Sequence, residues 1–90
     1  MMKYIDKLNN RGCGLIEQGR YKEAIKCYDK ILKIDPEYVL AWYNRGGLVE
    51  RKGKYKEAIK CYDKAIELDP NYTKARENKE EALKASGKKI

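Results

Sequence analysis

The segment from Tyr21 to Lys30 reads YKEAIKCYDK, and the same ten residues return unchanged from Tyr55 to Lys64, an offset of 34 positions. At that offset Asn10-Arg11-Gly12 pairs with Asn44-Arg45-Gly46, Gly19 with Gly53, Asp35-Pro36 with Asp69-Pro70, and Tyr38 with Tyr72. A period of this length marks a helical solenoid, in which each unit buries its apolar face only against its neighbours.

Two helical patterns lie in each unit, separated by a glycine that tolerates the left-handed conformation ending a helix. The first helices should therefore end near Gly19 and Gly53. The second helices, about Tyr21 to Ile34 and Tyr55 to Leu68, place Ala24, Tyr28 and Ile31, and likewise Ala58, Tyr62 and Ala65, along one face at spacings of three and four. That face is predicted to be core. Each second helix stops at Asp-Pro, because proline lacks an amide proton and disfavours the helical conformation in the residue before it.

Gly12 and Gly46 fall inside predicted helices, where each costs about 1 kcal/mol relative to alanine. Close approach of the paired helices, with Ala24 and Ala58 as the small surface opposite, is the expected reason. Gly14 and Gly47 carry the same cost without an evident use. After Tyr72 a further helix runs from Thr73, with Ala75, Ala82, Leu83 and Ala85 predicted on one side and charged residues on the other, as in a terminal cap.

Trp42, Gly46, Tyr55, Ala58, Tyr62, Ala65 and Pro70 together resemble the signature of the tetratricopeptide repeat family. In the preceding unit the same positions read Leu8, Gly12, Tyr21, Ala24, Tyr28, Ile31 and Pro36, so the resemblance covers both units. It implies an all-α fold of five helices, an α-solenoid of antiparallel helix pairs wound as a right-handed superhelix. A single domain spanning 1–90 follows, with one repeat at about 5–38, a second at about 39–72 and a capping helix at about 73–87.

The resemblance also implies a protein-interaction scaffold whose concave side, formed by the first helix of each repeat, holds a peptide. That side is expected to present Asp6, Asn9, Asn10, Cys13 and Glu17, then Leu40, Tyr43, Asn44, Gly47 and Arg51, then Lys74, Asn78 and Glu81. Asn9, Asn10, Tyr43, Asn44, Lys74 and Asn78 are the candidate peptide contacts. An asparagine amide both donates and accepts, and so grips peptide backbone without demanding a side chain; Tyr43 is an aromatic anchor, and Lys74 pairs with an acidic group. Some family members clamp the C-terminal carboxylate of chaperones through Lys, Asn, Asn, Lys and Arg. Those positions fall on Asn9, Cys13, Asn44, Lys74 and Asn78, of which only Asn44 and Lys74 match, and this counts against a two-carboxylate clamp.

Several other classes recede. The chain has no histidine, and its single serine, Ser86, lies near the end, so general acid-base or nucleophilic catalysis is not expected. Three cysteines without a CxxC pair indicate neither a disulfide framework nor a metal site, and no cofactor or small-molecule substrate is expected. Cys27 and Cys61 recur at equivalent places and read as packing residues, whereas Cys13 has no counterpart. No apolar run is long enough to cross a bilayer, and Lys3, Asp6 and Lys7 stand where a signal peptide would be apolar, so a cytoplasmic protein is expected.

A net charge of +7 and lysines spaced four apart on each second helix, Lys22, Lys26 and Lys30, then Lys56, Lys60 and Lys64, form basic stripes on the convex side. Nucleic-acid binding is a minor alternative, since no base-reading motif accompanies them. Two repeats are fewer than solenoids generally need, so a homo-oligomer, end to end or by exchange of helices, is the other alternative.

Overall fold

Five helices follow one another among residues 2–87, the part of the chain that the computed structural model describes: α1 (Met2–Glu17), α2 (Tyr21–Ile34), α3 (Val39–Arg51), α4 (Tyr55–Leu68) and α5 (Thr73–Gly87). The described residues contain no strand. Helices α2 and α4 take the spans that the periodicity predicts.

The glycine turns are built alike. Gly19 and Gly53 have φ of +76° and +81°, the left-handed region that side chains disfavour. Behind them the amides of Arg20 and Lys54 reach back to the carbonyls of Leu15 and Val49 at 2.8 and 3.0 Å, so the last turn of each first helix leaves these acceptors satisfied. At the Asp-Pro turns the Asp35 carboxylate accepts from the Glu37 amide at 3.1 Å, and Asp69 accepts from Asn71 at 3.2 Å. A side-chain acceptor two residues back replaces the helical partner that proline removes.

Each helix packs on its neighbour in sequence, and α3 lies against both α2 and α4. The resulting slab measures 43 × 28 × 18 Å. Ala24, Tyr28, Ile31, Ala58, Tyr62 and Ala65 are all 0% exposed, as the helical spacing predicts. Burial of each tyrosine ring contributes on the order of 2 kcal/mol. Ile25 touches both core clusters and joins the two units.

Two expectations of detail are corrected. The surface facing Gly12 and Gly46 is not Ala24 or Ala58 but the tyrosine rings: a Cβ on Gly12 would stand 2.8 Å from Tyr28 Cζ, and one on Gly46 would stand 2.7 Å from Tyr62 Cε1. Leu83 does not join Ala75 and Ala82 in the interior but is 46% exposed. Its equivalents Leu15 and Val49 are buried against the second helix of their own units, and α5 is followed by no such helix among the described residues. Trp42 is only half-buried, with its indole Nε1 donating to the Pro36 carbonyl at 2.7 Å.

An ion pair recurs at each junction between units. Arg45 meets Asp29 at 2.7 Å, and at the same offset Lys79 meets Asp63 at 2.6 Å. These partners are partly exposed, so each pair is worth at most about 1 kcal/mol and serves chiefly to set register. No helix in the described part is long and apolar enough to cross a membrane, and no cluster there of three His, Cys, Asp or Glu side chains could hold a metal ion.

Candidate functional site

Because helices alternate along the solenoid, α1, α3 and α5 come to lie side by side on one face. A cavity of about 180 Å³ on this face is lined by Ile16 from α1, by Tyr43, Asn44, Gly47 and Arg51 from α3, and by Asn78 from α5. It adjoins a larger open depression of about 670 Å³ where Glu50, Tyr62 and Glu81 also contribute. Gly47, Arg51 and Asn78 line both, and a Cβ at Gly47 would meet Tyr62 Oη at an ordinary contact distance of 3.8 Å.

The floor of this face is a row of phenols whose rings belong to the core. A buried tyrosine hydroxyl needs a polar partner, and both phenols find one beneath this face. Tyr28 Oη accepts from Asn44 Nδ2 at 3.3 Å and lies 3.5 Å from Cys13 Sγ. Tyr62 Oη donates to Glu50 Oε1 at 2.7 Å. Burial, reinforced by Cys13 at Tyr28 and by the Glu50 carboxylate at Tyr62, pushes both phenols well above their ordinary range and keeps them neutral. At the far side of the face Arg51 lies over the Tyr21 ring, 5.3 Å from its centroid, and donates to its hydroxyl at 3.3 Å.

The six candidate contacts are placed unequally. Tyr43 and Asn78 are brought together, with Asn78 Nδ2 donating to Tyr43 Oη at 3.1 Å. The Tyr43 ring is half-buried between Tyr72 and Tyr62, at centroid distances of 5.1 and 6.1 Å, so much of it serves packing. Asn44 sits at the centre, tethered by one amide proton to Tyr28 with the remaining donor and the carbonyl oxygen available. Asn9 is half-buried, and its Oδ1 is enclosed without a hydrogen-bond donor. Asn10 and Lys74 are exposed. The hydroxyls of Tyr28 and Tyr62 and the Glu50 carboxylate were not among the expected contacts. Their signal in the sequence is the pair of tyrosines at core positions, each of which must deliver a hydroxyl somewhere polar.

The arrangement is a shallow concave surface of amides, phenols and a few charges, suited to hydrogen bonding an extended chain. Models of the tetratricopeptide repeat match residues 39–72 and residues 15–53. Among solved structures, the second TPR of Spaghetti (RPAP3) bound to the HSP90 peptide SRMEEVD superposes with a TM-score of 0.89 at 33% identity, covering 93% of this chain and 78% of that one. The first TPR of the same protein, bound to the same peptide, gives 0.88 at 32% identity, covering 93% and 68%. The TPR2B domain of yeast Sti1 in complex with pHsp70 gives 0.89 at 29% identity, covering 96% and 68%. A search of curated protein sequences finds no match. The fold and the face define a helical-repeat protein. The chain belongs to the tetratricopeptide repeat family.

Proposed function

We propose that the chain is a protein-interaction module that binds a peptide segment of a partner protein across the face of α1, α3 and α5, and that it acts by binding and not by catalysis. In this reading residues 5–38 and 39–72 are the two repeats, residues 73–87 the cap, and Asn9, Asn10, Tyr43, Asn44, Lys74 and Asn78 the contacts. The observation that carries it is Asn44, which lines the cavity between α1, α3 and α5 and spends one amide proton on Tyr28, so that a second donor and the carbonyl oxygen remain for a ligand's backbone. The similar structures that are bound to a chaperone peptide support peptide binding as the activity.

The ligand chemistry differs from a double-carboxylate clamp. At the five clamp positions only Lys74 is cationic, where the family pattern supplies three cations, and Asn78 already bonds Tyr43. A site of this kind relies on backbone hydrogen bonds and one acidic contact. A peptide such as SRMEEVD should therefore bind more weakly here than a peptide selected for this face.

Selection of a phage-displayed random peptide library on the native chain, counter-screened on an Asn44→Ala, Lys74→Glu variant, tests this. Peptides retained by the native chain and lost by the variant are expected. A library yielding no binder, or binders retained equally by both proteins, sinks the reading. We do not extend the proposal to end-to-end assembly. α4 is already covered by α5, and α1 of a second copy taking that place would bring Lys7 to the seam position where Ala41 and Ala75 are 0% exposed.

A further inference from the structure

The outer edge of the solenoid, away from the face of α1, α3 and α5, carries three depressions that repeat with the sequence. The first, of about 240 Å³, is lined by Leu8 and Arg11 with Lys26, Cys27 and Lys30. The second, of about 470 Å³, has Trp42 and Arg45 in the places of Leu8 and Arg11, with Lys60, Cys61 and Lys64 completing it. The third, of about 480 Å³, has Arg76 and Lys79 at those places and Ile66 as its wall. Only the middle one is enclosed by three helices, because α2 contributes Leu32 and Asp29.

We propose that this middle cavity is a second docking site, for an acidic peptide segment of a partner protein that inserts an aliphatic side chain between Leu32, Trp42 and Lys60. The inference is independent of the binding proposed for the opposite face. Three observations carry it.

First, the cavity has no free polar group at its floor. Arg45 is taken up by Asp29 at 2.7 Å, Glu57 at 3.1 Å and Cys61 Sγ at 3.3 Å. Burial opposes its charge, but the bonds to Asp29 and Cys61 outweigh this and hold the guanidinium protonated. The indole proton of Trp42 is likewise occupied by Pro36. What remains is Leu32, the indole ring, Cys61 and the stems of two lysines, which favour an apolar occupant.

Second, the rim is cationic. Lys60 forms no ion pair among the described residues, nor do Lys22, Lys26, Lys30 and Lys56 on the same two helices. The nearby carboxylates are spent: Glu23 on Arg20, Asp29 and Glu57 on Arg45, Asp63 on Lys79, Glu67 on Lys64. Lys60 is thus the rim lysine left without an ion pair, and an apolar floor beside it is complementary to an aliphatic anchor flanked by carboxylates.

Third, the size fits. A volume of about 470 Å³ lies within the roughly 300–1,000 Å³ of specific pockets and exceeds one leucine side chain, so the anchor and its flanking backbone are accommodated. A nucleic acid would meet the same lysines but would find no hydrogen-bonding group here to read a base, and the half-buried indole offers little stacking surface.

Trp42 is the only tryptophan in the chain, so its emission reports occupancy of this cavity directly. The probe is a synthetic peptide, EEDLLEDE, acetylated and amidated so that it carries no terminal carboxylate. It should change Trp42 emission saturably. Lys60→Glu with Lys64→Glu should weaken binding at least about tenfold, since two rim attractions become repulsions. The Asn44→Ala, Lys74→Glu variant, altered only on the opposite face, should bind it as the native chain does. Both substituted lysines lie at the surface, and an unchanged far-UV circular dichroism spectrum verifies the fold. The proposal is overturned by the absence of a saturable change, by an equal response to the same peptide with both leucines replaced by serine, or by oligothymidylate binding as tightly. Loss of the response in the Asn44, Lys74 variant would also overturn it.

Discussion

Gly46 and Gly47 are neighbours in α3, and replacing each by alanine should move stability in opposite directions. At Gly46 the new Cβ would stand 2.7 Å from Tyr62 Cε1, 2.9 Å from Cδ1 and 3.1 Å from the Cys61 Cβ. Ordinary carbon contacts lie near 3.5–4.0 Å. The Tyr62 ring is 0% exposed, so it cannot yield outward and the strain passes into the core. Overpacking of this kind costs about 1–3 kcal/mol. Against it stands a gain of roughly 0.5–1 kcal/mol from replacing glycine in a helix. The net expectation for Gly46→Ala is a loss of about 1–2 kcal/mol. At Gly47 the nearest atom is Tyr62 Oη at 3.8 Å, an ordinary contact, so only the helix gain remains. For a domain of this size 1 kcal/mol moves Tm by about 4–8 °C. Thermal melts followed by far-UV circular dichroism should therefore separate the two variants by roughly 6–24 °C, with the native chain between them. A Gly46→Ala protein as stable as the native one would refute the argument that the ring, and not the helix spacing in general, demands glycine there.

Two further outcomes follow from burial. Tyr28 and Tyr62 have raised pKa values in the folded chain, so they are neutral in both states below the ordinary tyrosine value of 10.0, and their contribution is complete there. Above it the unfolded chain ionises first, and denaturant midpoints should fall progressively as pH rises past that value, with the last two of the eight tyrosines ionising only on unfolding. Two tyrosinates appearing early with the fold intact would contradict this. Among the thiols, Cys13 is exposed whereas Cys27 and Cys61 are buried. One thiol per chain should react rapidly with Ellman's reagent under native conditions, a Cys13→Ser variant should lose that phase, and three fast thiols would show that the core is open.

The repeat by itself determined a good deal. Exact return of YKEAIKCYDK at an offset of 34, with glycine and Asp-Pro at fixed places between, specifies two helix pairs, their ends and the faces they bury. These are local matters: the left-handed turn needs glycine, proline cannot continue a helix, and a stripe at helical spacing must find cover. Asn44 was legible as a candidate contact only through the resemblance to the tetratricopeptide repeat family, which implies that the first helix of each unit faces the concave side.

What a side chain meets across helices was not legible, since it depends on approach distances and directions that a period does not encode. Gly46 is explained by a ring sixteen residues away in α4, and Tyr43 turns out to be held by Asn78 from α5 and packed at a tilt against Tyr72. Leu83 has the periodicity of a core residue and stays exposed, because burial requires a partner helix and not only a pattern. The outer cavity is likewise a tertiary product. Trp42, Leu32 and Lys60 come from three helices, and only the packing of α2, α3 and α4 turns them into one apolar depression with a basic rim.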